Sequence, residues 1–93
     1  MKRAESLELL KSQHHFPGPF DFRVVVKKGH KTEVVNAVLA ASGDGTLVSD
    51  VVERPSRKGT YVALVITVKL RDARQVFDIY DVLKQLPSVV TAL

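Results

Sequence analysis

Residues 60–70, TYVALVITVKL, alternate so strictly that Val62, Leu64, Ile66, Val68 and Leu70 fall on one side of an extended strand. Successive side chains of a strand point to opposite faces, so aliphatics at period two require something to cover that face. A second stretch repeats the pattern. Phe20, Phe22, Val24 and Val26 alternate with Asp21, Arg23, Val25 and Lys27. Two half-buried strands need a second layer, and the remaining segments carry helical spacing.

KKGHK (27–31) breaks the first strand, and Thr32 is placed to cap a helix in which Val34, Val35, Val38, Leu39 and Ala41 recur at three and four. SGDG (42–45) closes it, with Gly43 suited to a left-handed terminal residue. LVSDVVER (47–54) reads as a strand without a clear inward side, and PSRKG (55–59) turns the chain back, Gly59 supplying a positive φ. Asp72 and Gln75 have capping-box spacing, opening a helix through Leu86 with Ala73, Val76, Phe77, Tyr80 and Leu83 as its buried stripe. Pro87 ends it, and SVVTAL (88–93) is the last strand. Ahead of all this, Ala4, Leu7 and Leu10 line one side of a short helix that FPGPF (16–20) stops.

The order is β-α-β-β-α-β. Right-handed crossovers fold it into one antiparallel sheet, strand order 4-1-3-2, with both helices on one face. The expectation is therefore an α+β ferredoxin-like sandwich over residues 16–93, preceded by a helical extension over 1–15. A chain of 93 residues has room for one such domain.

Several chemistries lack their residues. The chain has no cysteine, hence no disulfide, thiolate zinc site or cysteine nucleophile. After Met1, Lys2 and Arg3 no apolar signal core develops, and the longest apolar run, 61–66, is far short of a membrane span, so a cytoplasmic protein without a membrane role is expected. No P-loop or dinucleotide glycine pattern occurs, and no cofactor is expected. His14, His15 and His30 have no acidic or cysteine co-ligand at useful spacing. Asp78 and Asp81 lie opposite the apolar stripe of their helix, as solvated carboxylates do, and Ser56 near Lys58 reads as a turn serine. No catalytic constellation emerges. A non-enzymatic domain is expected.

The net charge is +4, and the topology says where it collects. The loops after the first and second strands lie at the same end of the sheet. They carry Lys27, Lys28, Gly29, His30 and Lys31 on one side and Arg54, Arg57 and Lys58 on the other. The two strands flank the third, so the loops start about 10 Å apart. A helix also begins there, with its free amides. This end is the candidate site for an anionic small molecule or an acidic partner, against the plainer reading that these charges only keep the domain soluble.

The open sheet face should present Val25, Tyr61, Ala63 and Val65, a moderately apolar strip expected to be covered by the N-terminal helix or a second subunit. RNA binding on such a face needs stacked aromatics, and one tyrosine beside Asp21 argues against nucleic acid. The open face and edge strand 47–54 form the alternative reading, a protein–protein interaction module.

LELL (7–10), FPGPFDFRVV (16–25), PSRKGTYVALVIT (55–67) and LKQLPSVVTAL (83–93) together resemble the YbeD-like bacterial family. Its pattern is a leucine-rich opening, F-P-x-P-F into the first strand and P-S-x-K-G-x-Y into the third. Pro17, Pro19, Phe20, Pro55, Ser56, Lys58, Gly59 and Tyr61 occupy the matching positions. The resemblance implies a ferredoxin-like fold similar to ACT-type regulatory domains, which bind amino acids and associate through their sheets. It also implies a regulatory role, one linked to lipoate metabolism, and assigns no catalytic residue. KSQHH (11–15) is an apparent insertion, and Ala63 and Val65 stand where polar residues are common.

Overall fold

The computed structural model of the chain describes residues 16–43 and 47–92. Its elements are β1 (Gly18–Lys27), α1 (Lys31–Ser42), β2 (Leu47–Pro55), β3 (Tyr61–Leu70), α2 (Arg74–Gln85) and β4 (Val89–Ala92). The strands form one sheet in the order β2-β3-β1-β4, every neighbour antiparallel. That is 4-1-3-2 read from the opposite edge: the ferredoxin-like α+β sandwich. The helix expected over 1–15 lies outside the described residues.

β1 and β3 pair without interruption from Gly18 opposite Leu70 to Lys27 opposite Tyr61. Their inward rows, Phe22, Val24 and Val26 against Val62, Leu64, Ile66, Val68 and Leu70, are all buried. α1 adds Val34 and Val38, and α2 adds Val76, Ile79 and Leu83. Phe22 is the aromatic hub, its ring 4.9 Å from Phe20 and 5.1 Å from Tyr80 between centroids.

Local details correct the sequence reading at three points. α1 begins at Lys31 behind His30, with no side-chain cap, so Thr32 sits inside the first turn. Its buried line is Val34, Val38 and Ser42, one residue per turn, while Leu39 is 41% exposed on the flank. Ser42 tolerates burial because its hydroxyl donates to the Val38 carbonyl at 2.6 Å. In α2 the buried line runs through Ile79, and Phe77 and Tyr80 are half-buried beside it.

The start of α2 forms only half of the anticipated box: Ala73 stands at the N-cap without a side-chain bond, and the Gln75 N–H donates to the Asp72 carbonyl at 3.1 Å rather than to its carboxylate. Asp72 Oδ1 accepts from the Arg74 N–H at 2.8 Å, and Gln75 Oε1 accepts from the Asp72 N–H at 3.2 Å. Gln75 does more than the box requires: its Nε2 donates to the Ser42 carbonyl at 2.9 Å, tying the start of α2 to the end of α1.

The edge strands are irregular. β2 slips register against β3 between Val48 and Asp50, leaving Ser49 as an extra residue. β4 slips against β1 opposite Val25 and Val26, and its Val90 is 52% exposed.

Candidate functional site

The β1–α1 loop and the β2–β3 hairpin meet at one end of the sheet. The Lys28 N–H donates to the Thr60 carbonyl at 3.1 Å, so main-chain bonding joins segments far apart in sequence. The hairpin is itself tight. Ser56 N–H donates to the Tyr61 carbonyl at 2.8 Å, Ser56 Oγ accepts from the Tyr61 N–H at 3.2 Å, and Gly59 takes φ +73°. Gly29, at φ +88°, turns the chain out of β1.

Between the two loops lies a cleft of about 510 Å³. Lys27, Lys28, Gly29, Lys31 and Thr32 line it from the β1–α1 side. Glu53, Pro55 and Gly59 line it from the hairpin side. Lys27 lies opposite Tyr61, so its side chain belongs to the open face like that of Arg54, and Lys28 and Lys31 against Glu53 leave the cleft cationic. Lys31 Nζ stands 3.5 Å from Glu53 Oε2, with both side chains about half exposed, so the pair holds the lysine loosely across the cleft.

The remaining basic residues are distributed differently. His30 caps the approach to α1 and its Nδ1 lies 2.7 Å from Glu33 Oε2, outside the cleft lining. Arg57 and Lys58 are exposed at the hairpin tip, also outside it. Arg54 pairs with Ala63 and therefore belongs to the open face, not to the cleft. Sequence reasoning missed Glu53, because the bulge at Ser49 hides which side of β2 each residue takes.

The open face gathers Val25, Tyr61, Ala63 and Val65 as one surface: Val25 is opposite Ala63, and Lys27 opposite Tyr61. Val52, opposite Val65 and 44% exposed, extends the strip onto β2. Arg23 and Arg54 flank a shallow depression of about 450 Å³ whose floor is Val25, Val52, Ala63 and Val65. Farther along the same face, outside the depression, the Thr67 hydroxyl donates to Asp21 Oδ1 at 2.6 Å.

Among the described residues there is no group of three or more histidine, cysteine, aspartate or glutamate side chains that could hold a metal ion. No helix among them is long and apolar enough to cross a membrane.

No curated protein matches the sequence. Among solved structures, the solution structure of the C-terminal domain of the MgtC protein from Mycobacterium tuberculosis is similar in fold. The TM-score is 0.66 at 13% identity, covering 87% of this chain and 88% of that one. At that identity the likeness concerns the fold alone. The family model described as a protein of unknown function, DUF493, matches residues 11–93, in keeping with the YbeD-like resemblance, and the chain belongs to that family.

Proposed function

We propose that the protein is a small non-enzymatic regulatory or binding domain that takes an anionic small molecule in the cleft between the β1–α1 loop and the β2–β3 hairpin. One observation carries this reading: Lys28 and Lys31 share a cleft of about 510 Å³ in which Glu53 is the one carboxylate among the lining residues. A carboxylate or phosphate entering there gains charge-assisted bonds from the lysines. It also approaches the first amides of α1, whose dipole favours negative charge.

Thermal shift with inorganic phosphate, amino acids and short acyl acids at low salt tests it. Ligand at about one hundred times its Kd adds about 2.7 kcal/mol of stability. In a domain of this size that raises Tm on the order of 10 °C. The response should vanish in a Lys28→Glu, Lys31→Glu double variant and survive Arg57→Glu, which lies outside the cleft. A flat response to every anion, or one that persists in the double variant, would sink the proposal.

The second reading is a protein–protein interaction module. It is supported by the apolar strip on the open face, in which Val52, Tyr61 and Ala63 are exposed and Val65 is half-buried. Charge reversal in the cleft leaves that surface unchanged, so the two readings separate cleanly.

A further inference from the structure

We propose that the free edge of β2 pairs antiparallel with the same edge of a second copy, about a two-fold axis at Val52. β2 borders the sheet with β3 as its single neighbour, which leaves half of its backbone groups pointing outward. The bulge at Ser49 interrupts the ladder at one end. Pro55, without an N–H, closes it at the other. The regular stretch between them is 50–54, and Val52 is its midpoint.

Backbone parity and charge then choose the register. In an antiparallel self-pair, outward-pointing residues must face outward-pointing residues, so a residue has to lie on the axis rather than a peptide bond. An axis at Glu53 sets two carboxylates directly opposite each other. An axis at Val51 leaves Asp50 and Arg54 both facing valines. An axis at Val52 sets Asp50 opposite Arg54 twice, and brings Ser49 of each bulge opposite the partner's terminal proline.

The faces agree as well. Asp50, Val52 and Arg54 pair with Thr67, Val65 and Ala63 of β3, so all three belong to the open face. Directly opposite residues of antiparallel strands share a face, which puts both acid–base pairs and the valine contact on one surface. All three side chains are exposed, and neither Asp50 nor Arg54 has an ion-pair partner among the described residues.

Sedimentation equilibrium of the full chain should give a dimer. Asp50→Arg and Arg54→Asp should each raise its dissociation constant at least tenfold, and the combined swap should restore it. Because the chain has no cysteine, Val52→Cys adds a lone thiol on the axis. Facing Cα atoms there stand about 4.5–5.5 Å apart, within the roughly 4.4–6.8 Å that a disulfide spans. Mild oxidation should cross-link Val52→Cys and spare Val90→Cys on the opposite edge. A monomer at millimolar concentration overturns the proposal. So does a dimer indifferent to both single reversals, or one in which Val52→Cys stays uncross-linked. None of these readouts depends on the lysine cleft, so either proposal can fail alone.

Discussion

Gln75 uses both ends of its amide, accepting at Oε1 from the N–H groups of Arg71 and Asp72 at 2.7 and 3.2 Å and donating from Nε2 to Ser42. Gln75→Ala removes all three bonds and should cost about 1–3 kcal/mol in urea denaturation. Gln75→Glu keeps the acceptor but sets an oxygen against the Ser42 carbonyl, so its loss should be of similar size. If Gln75→Glu matched wild type, the tie between helices would contribute nothing. The acceptor role was legible from the Asp72 spacing; the donor role was not, because its partner lies in another helix. Ile79 and Leu39 make a matched pair of tests. Ile79 is fully buried, and Ile79→Ala should cost about 2–5 kcal/mol. Leu39→Ala, on the flank of α1, should stay within about 0.5 kcal/mol. At the cleft, Glu53→Gln frees Lys31 and should tighten anion binding in titration calorimetry, most at low salt.

At the level of elements, legibility followed regularity. β3 and β1 could be read residue by residue because period-two alternation survives along their whole pairing. β2 could not, since one extra residue at Ser49 reverses the inside–outside assignment partway along. This one irregularity moved Arg54 to the open face and left Glu53 unrecognised in the cleft. The helix stripes were read too broadly because valines, leucines and aromatics on a helix flank carry the same letters as those on its buried line. The hairpin was legible from Pro55 and Gly59. A Cβ at Gly59 meets no atom within 4 Å, so Gly59→Ala is penalised only by its positive φ. That penalty should be about 1–2 kcal/mol by thermal unfolding.

For the molecule as a whole, the order of elements decided which loops meet, and that was legible from the right-handed crossover rule. The volume between them was not, since it depends on how Lys28 and Thr60 bond across the end of the sheet. Global stability should also register Tyr80. Burial raises its phenol above the ordinary value of 10.0, because the charged form is penalised beside Phe22. The neutral form is thus favoured in the folded chain. Its contribution is complete below pH 10, and is lost as pH rises and the unfolded chain ionises first. Tyr80→Phe should show a shallower alkaline decline than wild type in denaturation series; parallel curves would contradict this.

The two rims of the sheet are unequal. β2 offers the uninterrupted stretch 50–54 between its bulge and Pro55, whereas β4 has four residues and a register slip opposite Val25 and Val26. Joining two molecules through β2 would use the more regular of the two sheet edges among the described residues. A two-fold pairing of that seam closes on itself, so strand addition through β2 stops at a pair.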